Sequence, residues 1–320
     1  MRRRNFVLAL GSLAVSPAAL AQTPQARIGV LTPVQRPAAL PSVLKRLGDL
    51  GFVEGRNLTV VLRSTQGATE KFSPLARELI QAKPDLLIAY GAEPAAQALI
   101  QSTAVIPIVF LAIDYDPIEA GIVSSLSRPG KNVTGIYLPT PELVMKRLEL
   151  LREILPRLSR ILVLSDPYTN SQLKALRVAA ERMRIEIVEA GFTTPPYDFQ
   201  PGFENGRKAR VEALFLPSSP VFFDQRAAIA DLASANRLPS IVATPGWTRS
   251  GFLVSYGPDS SKVFVRAGDI TASILKGRKP GEIPVEQVNV YDMAINLKVA
   301  KTLGLTIPDT VRLRADLVIE

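Results

Sequence analysis

The chain has 320 residues, with 38 Lys and Arg, 29 Asp and Glu, and neither His nor Cys. The lack of those two residue types excludes a Ser-His-Asp triad, a thiolate nucleophile, a disulfide and any metal site built on imidazole or thiolate groups. At this length two domains are expected, and the formal charge of +9 favours a nucleic-acid partner only if the basic residues cluster.

The N-terminal segment has the three parts of a secretory signal peptide. Arginines occupy 2–4, a short apolar stretch covers 6–15, and 19–21 (ALA) resembles a cleavage site. The run 3–7 (RRNFV) also resembles a twin-arginine signal, so both Sec and Tat export stay open. A buried N-terminal helix is the alternative. We expect residues 1–21 to be removed, which lowers the charge to +6 and leaves a soluble periplasmic protein without a membrane-inserted segment.

Short apolar runs then alternate with helical patterns. Strands are predicted at 28–31, 58–62, 85–90 and 106–110, and the stretches between them carry apolar residues at helical spacing. Because these strands are apolar throughout, they indicate a parallel sheet that is covered by helices on both faces.

The same order recurs in the second half of the chain, with strands predicted at 160–164, 185–188, 211–216 and 238–242. The offset from Ile28 to Ile161 is 133 residues, and that from Pro107 to Pro239 is 132. The agreement indicates two lobes of similar topology, with coincidence as the alternative.

The remainder of the chain has too few elements for a third domain. It contains a strand at 251–256, a helix at 264–275, an extended stretch at 285–290 and a last helix at 293–303. We expect these elements to return to the two lobes, so that the chain crosses between them three times. The predicted crossings lie near 134–140, 255–258 and 286–291. The predicted lobes are 22–137 plus 259–287 and 138–258 plus 288–320.

Several short motifs, in order along the chain, resemble those of one family. They include 50–58 (LGFVEGRNL), 126–135 (LSRPGKNVTG), 146–151 (KRLELL) and 300–308 (AKTLGLTIP). Together they are similar to the periplasmic substrate-binding proteins of tryptophan/tyrosine-type ABC transporters. The resemblance implies an α/β fold of the type I periplasmic-binding-protein class, with two Rossmann-like lobes on parallel sheets and a three-crossing hinge. It also implies closure of the lobes on a small ligand, with the subunits of an ABC permease as partners.

The sequence departs from this family at two loops. Members often have a hydroxyl residue after the glycine of the third strand, whereas 91–94 is GAEP. The loop at 244–247 is TPGW, where members often have another aromatic or polar loop. Both loops face the predicted cleft, so the identity of the ligand is left open.

Ligands of open parallel α/β sheets bind beyond the carboxyl ends of the strands. Free N–H groups at helix N-termini would bind a carboxylate, acidic side chains would bind an ammonium group, and aromatic rings would form a wall. The candidate ligand-binding residues in these loops are Thr32, Gly91, Ala92, Glu93, Asp114, Tyr115, Asp166, Tyr168, Asn170, Ser218, Ser219, Thr244 and Trp247.

Some candidates also have a purely structural interpretation. Asp114 and Asp116 flank Tyr115, so we expect one of the two acids to be a cap and the other to face the ligand. The remaining alternatives are an N-cap for Ser219, a turn for Asp166, a place in the core for Trp247 and a solvated helix start for Glu93.

Basic residues are spread along the chain and do not form a stripe. They lie at Arg147 and Arg152 on one predicted helix, at three positions in 177–184 on another and in a loop over 207–210. We expect these residues on solvated faces, so no nucleic-acid partner is predicted, and part of this surface is a candidate contact with the permease.

The sequence favours a solute receptor of an ABC importer that binds an amino acid, aromatic or apolar ones first. No P-loop, G-x-G-x-x-G or G-x-S-x-G motif occurs. We therefore expect no catalytic residue, no metal and no cofactor, in a monomeric protein. The alternatives are a ligand-sensing periplasmic module and an exported enzyme that uses carboxylates as acid and base.

Overall fold

The computed structural model describes residues 25–35, 37, 39–193 and 196–320. The predicted signal peptide, 1–21, lies outside the described residues. Within the described ranges, no helix combines the length and the apolar character that crossing a membrane requires.

The described elements alternate between strands and helices along most of the chain. The strands are β1 (Ala26–Thr32), β2 (Leu58–Ser64), β3 (Leu86–Gly91), β4 (Ile108–Ala112), β5 (Val133–Tyr137), β6 (Arg160–Ser165), β7 (Glu186–Gly191), β8 (Ala213–Leu216), β9 (Ser240–Val242), β10 (Val254–Gly257), β11 (Glu286–Gln287), β12 (Asp292–Asn296) and β13 (Leu317–Ile319). The helices are α1 (Leu40–Asp49), α2 (Phe72–Gln81), α3 (Glu93–Ser102), α4 (Val144–Ile154), α5 (Asn170–Met183), α6 (Gln200–Lys208), α7 (Pro220–Asp224), α8 (Arg226–Ala235), α9 (Ser260–Leu275), α10 (Leu297–Leu303) and α11 (Asp309–Arg312). Short 3-10 helices cover Thr69–Lys71, Pro141–Leu143, Pro245–Ser250 and Pro280–Glu282.

The strands form two sheets that repeat one topology. The first sheet has the order β11-β5-β4-β3-β1-β2, and the second has the order β13-β12-β10-β9-β8-β6-β7. Strands β6 to β10 therefore follow the same order as β1 to β5, which explains the near-constant sequence offset. All pairings are parallel except that of β10 with β12. The predicted two-lobed α/β fold is confirmed, with one antiparallel pair added.

Burial explains why the central strands are apolar throughout. Every residue of β3 and β4 is buried, because helices cover both faces of the sheet. Gly135 lets β5 approach β4 closely, since a Cβ atom at this position would overlap the carbonyl oxygen of Phe110.

The chain passes between the two sheets at three places in the described part. It leaves the first sheet after Tyr137 and enters α4, which packs against β9 and β10. It leaves the second sheet after Gly257 and returns through α9, which packs against α1 and β3 to β5. It crosses again between Gln287 and Asp292. We call the two halves lobe 1, around the first sheet, and lobe 2, around the second.

Two local predictions are wrong. The last predicted helix, 293–303, begins only at Leu297, because Asp292–Asn296 pairs with β10 as a strand. Pairing with a neighbouring strand here outweighs the helical propensity of Met293 and Ala294. The predicted loop at 207–210 is helical in its first half, since α6 ends at Lys208.

Candidate ligand-binding cleft

The two lobes are in direct contact at the carboxyl ends of their strands. Gly91, at the end of β3, faces Pro220 of lobe 2, and a Cβ atom on Gly91 would lie 2.8 Å from Pro220 Cγ. The hydroxyl of Tyr168 in lobe 2 donates a 3.2 Å hydrogen bond to the carbonyl of Gly67 in lobe 1. The cleft between the lobes is therefore closed.

Asp114 makes a polar contact across this cleft. It follows β4 of lobe 1, yet its carboxylate accepts hydrogen bonds from the backbone N–H groups of Ser171 (3.1 Å) and Gln172 (3.0 Å) in the first turn of α5. Thr169, the N-cap residue of α5, makes no side-chain capping bond, so Asp114 takes that role from the opposite lobe. Burial raises the pKa of Asp114 to about 7, and the nearby Asp166 adds to the rise.

Asp166 is the second buried acid of the cleft. It follows β6, and its carboxylate accepts hydrogen bonds from the hydroxyl of Ser219 (2.5 Å) and the backbone N–H of Tyr168 (2.9 Å). Burial raises the pKa of Asp166 to about 7. Ser219 also accepts a bond from the N–H of Val221, so this residue is both the N-cap of α7 and a partner of Asp166.

Arg147 is a buried cation on the lobe 2 side of the cleft, and its predicted place on a solvated face is wrong. Its side chain has no exposed surface. Nε donates to the carbonyl of Tyr256 at 2.8 Å, Nη1 donates to Oε1 of Gln172 at 3.5 Å, and Nη2 has no partner among the described residues. Burial lowers the pKa of Arg147 to about 9.

The burial of Arg147 follows from the geometry of α4. Val144, Leu148 and Leu151 are buried on the same helix, and spacings of three and four place Arg147 on their face. That face packs against the second sheet and α5. A single charged residue on an apolar helix face was therefore a sequence signal for the burial of Arg147. It was missed because the basic residues as a whole are spread along the chain.

Gln172 connects one of the acids, Asp114, to the cation. Its backbone N–H bonds to Asp114, its Oε1 accepts from Arg147 and from the N–H of Ser218 (2.9 Å), and its Nε2 donates to the carbonyl of Ser218 (2.8 Å). Sequence reasoning missed this residue, because an amide within a helix carries no distinctive pattern.

Asp114, Arg147 and Asp166 are the buried charged side chains of the described ranges, with exposed fractions of 8%, 0% and 5%. All three converge on Gln172 and Ser218-Ser219. None forms an ion pair with another residue of those ranges. Burying charges without paired partners is unfavourable, so a fold does not gather them at one place for stability alone. This convergence marks the candidate site.

Three tyrosines lie close to the buried charges. Tyr115 and Tyr168 are at most 5% exposed, and burial raises the pKa of both hydroxyls. Tyr197, which the sequence reasoning did not select, is also buried and lies near Asp166, whose charge contributes to the raised pKa of Tyr197 after burial itself. The hydroxyls of Tyr115 and Tyr197 have no hydrogen-bond partner within the described part of the chain.

The other predicted residues lie around this centre in different roles. Asp116 caps its own turn, accepting from the N–H groups of Ile118 and Glu119, whereas Asp114 reaches lobe 2. Trp247 is 1% exposed and packs against the rings of Phe223 and Phe252. Two of the others make local hydrogen bonds: the hydroxyl of Thr32 accepts from the N–H of Val34, and the amide of Asn170 donates to the carbonyl of Pro167. The remaining two lie at the start of α3, where Ala92 is the buried N-cap and Glu93 is exposed in the first turn.

A cavity of about 20 Å³ separates the lobes at the cleft. Ser218, Ser219, Thr244, Tyr90 and Thr140 are among its lining residues. This volume holds about one water molecule, so a larger ligand needs the lobes to separate before it enters. A wider groove of about 570 Å³ shares Thr244 with the cavity and is lined by Trp247 as well.

Comparison with known proteins identifies the family. Residues 27–319 match the family model of the ABC transporter substrate binding proteins. The chain belongs to this family. Its two-sheet architecture is that of type I periplasmic binding proteins. This substrate-binding protein is 29% identical, over 289 residues, to a tyrosine-binding protein of Clostridioides difficile (strain R20291), a match that covers 88% of this chain and 81% of that one.

Two solved structures of similar sequence identity differ in the state of the cleft. An ABC domain from Streptococcus pneumoniae in complex with L-Trp has a TM-score of 0.77 at 25% identity, covering 92% of this chain and 100% of the other. A ligand-free, open substrate-binding protein from Clostridium difficile has a TM-score of 0.59 at 26% identity, covering 92% and 99%. At similar identity the chain is more similar to the complex than to the open form, in agreement with its closed cleft.

Proposed function

We propose that this protein is the exported receptor of an ABC importer, and that it binds an α-amino acid between its lobes and delivers it to a membrane permease. The observation that carries the proposal is the burial of Asp114, Asp166 and Arg147 around Gln172 and the Ser218-Ser219 loop, which borders the closed cleft. An α-amino acid has an ammonium group and a carboxylate on one carbon atom, so a site with buried charges of both signs matches its chemistry.

The two acids are the proposed partners of the ligand's ammonium group. Asp114 comes from lobe 1 and Asp166 from lobe 2, so an ammonium group between them interacts with both lobes at once. Their ionisation is unfavourable when they are buried alone, and a cation between them would reverse this effect. Tyr115, Tyr168 and Tyr197 are the proposed wall for the side chain, which favours aromatic or apolar amino acids.

In this proposal, closure of the two lobes signals to the permease that a ligand is bound. A ligand that contacts both lobes gains its full interaction energy only in the closed form, so binding shifts the population towards closure. The permease would then recognise the closed lobes. Export through the segment 1–21 places the receptor on the outer side of the membrane, where the solute is collected.

The proposal is tested first by ligand binding. The purified protein is screened by thermal shift and calorimetry against L-Trp, L-Tyr, L-Phe and L-Leu, with benzoate and myo-inositol as solutes of other classes. A ligand at a hundred times its dissociation constant adds about 2.7 kcal/mol to the free energy of unfolding. We expect the aromatic amino acids to raise the melting temperature most. A shift with benzoate or myo-inositol and with no amino acid would overturn the amino-acid assignment.

Delivery to a permease needs a separate test. Cells that lack the gene should take up the radiolabelled amino acid more slowly, and the restored gene should recover the uptake. Binding in solution without any change of uptake would contradict the transport role and leave the receptor role in place.

A further inference from the structure

A buried cation lies beneath the cleft, and the proposed function assigns it no contact with the ligand. The guanidinium of Arg147 is fully buried, bonds to the carbonyl of Tyr256 and to the amide of Gln172, and keeps Nη2 without a partner in the described ranges. No carboxylate of those ranges lies within ion-pair distance of this side chain. A structural arginine is normally paired with an acid when it is buried, so its position calls for another explanation.

The guanidinium lies directly beneath the cleft. Nη2 is 3.2 Å from the place that a Cβ atom on Gly257 would occupy, at the carboxyl end of β10. The next residue, Pro258, lines the cavity between the lobes. Gln172 connects Arg147 to Ser218, which lines the same cavity, and to Asp114 of lobe 1. One residue, Gln172, therefore connects the buried cation to both sides of the cleft, through its side chain to Ser218 and through its backbone N–H to Asp114.

The charges of the cleft would be unbalanced without Arg147. Asp114 and Asp166 together would attract a cationic amine and repel a carboxylate. Among the described residues, Arg147 is the buried side chain with a positive charge. Its bond to Oε1 of Gln172 also orients that amide, which in turn holds both backbone groups of Ser218.

We propose that Arg147 is a specificity-determining residue that acts through Gln172 and makes the cleft select a zwitterionic amino acid over the corresponding amine. In this arrangement the ligand's ammonium group lies between the two aspartates. Its carboxylate lies beside Ser218 and Gln172, where the positive charge of Arg147 attracts it. This inference rests on the proposed function and adds to it the orientation of the ligand. Arg147 is a positioning residue, since it reaches the ligand through a neighbouring side chain.

The test compares an amino acid with its decarboxylated analogue. Affinities for L-Trp and tryptamine, and for L-Tyr and tyramine, are measured by calorimetry on the full protein and on Arg147→Met. We expect the preference for the amino acid over the amine to fall by about tenfold or more in the variant, because affinity for the amino acid falls while that for the amine is kept or rises. Arg147→Lys keeps the charge and should retain part of the preference.

Arg152→Met is the matched control. Arg152 lies on the same helix, and its Nη2 donates to the carbonyl of Met183, away from the cleft. The control should keep the full preference. A structural role for Arg147 would lower both affinities alike, or the melting temperature alone, and either result would overturn the inference.

Failure of the inference is distinguishable from failure of the proposed function. Native protein that binds neither L-Trp nor L-Tyr nor any other amino acid overturns both. Native protein that binds amino acids, with Arg147→Met and Arg147→Lys keeping the full preference over the amine, overturns the role of Arg147 alone. If Arg147→Met does not fold, the lysine variant and Gln172→Leu carry the comparison.

Discussion

The carboxylate of Asp114 in lobe 1 accepts a 3.0 Å hydrogen bond from the backbone N–H of Gln172 in lobe 2. This bond exists only while the lobes are closed, because its donor and acceptor are on opposite sides of the cleft. It satisfies a free N–H group at the start of α5 and places a negative charge where the helix dipole favours one. The charge of the Asp114 side chain is thus connected to closure of the cleft.

Asp114→Ala is expected to open the lobes. The substitution removes two hydrogen bonds to α5, so closure in the absence of added ligand loses a polar contact that lobe 1 makes to lobe 2. Small-angle X-ray scattering without added amino acid should give a larger radius of gyration for the variant. Asp116→Ala is the control, since Asp116 caps a turn within lobe 1. Identical scattering from both variants would contradict this role of Asp114.

Gly91→Ala is expected to weaken ligand binding by hindering closure. Gly91 has a φ of +79°, and an added methyl group would lie 2.8 Å from Pro220 of the other lobe. Gly55 has the same φ of +79° with no atom within 4 Å, so Gly55→Ala incurs the backbone strain without the contact. Calorimetry should show an affinity about tenfold lower for the first variant than for the second. Equal affinities would show that this contact does not limit closure.

Closure and binding are expected to respond to pH in opposite directions. Burial raises the pKa of Asp114 and of Asp166 from 3.8 to about 7, so the closed form holds more protons than the open form between these values. Closure without added ligand therefore weakens as pH rises through this window and levels off above 7. Asp114 faces the N–H groups of Ser171 and Gln172 and the charge of Asp166. Asp166 faces the hydroxyl of Ser219, the N–H of Tyr168 and the nearby ring of Tyr197.

A bound ammonium group favours the ionised acids, so affinity for an amino acid should increase over the same window. Scattering and calorimetry at about pH 5 and about pH 8 measure the two trends separately. Asp114→Asn combined with Asp166→Asn should flatten both, because neither amide titrates. Trends that persist in the double variant would assign the pH dependence to other groups.

Trp247 is expected to contribute mainly to stability. Its ring is buried against Phe223 and Phe252, at centroid distances of 5.3 and 6.1 Å. Trp247→Ala should lower the free energy of unfolding by about 3–5 kcal/mol, measured by denaturant titration followed by circular dichroism. Trp247→Phe should keep the affinity for the amino acid. A folded phenylalanine variant that fails to bind would instead support the ligand wall predicted from the sequence.

Much of the fold is encoded in local patterns. Apolar runs such as 85–90 and 106–110 predict strands buried on both faces, and the helical stripes between them predict the crossovers. The rule that ligands lie beyond the carboxyl ends of parallel strands then selects the loops that hold Asp114 and Asp166. The inferences about the fold succeed because each depends on residues that are close together in the chain, whereas the role of these loops in ligand binding stays a prediction.

The sequence by itself determined the alternating elements, the two lobes and the family, since periodicity and short motifs are properties of neighbouring residues. Only the tertiary structure decided that Asp114, and not Asp116, crosses the cleft, and that Arg147 lies inside beneath it. It also decided that Asp292–Asn296 is a strand, through its pairing with β10. The physical reason is the same in each case: the partner that fixes the residue lies far away along the chain, and the two meet only when the lobes have formed.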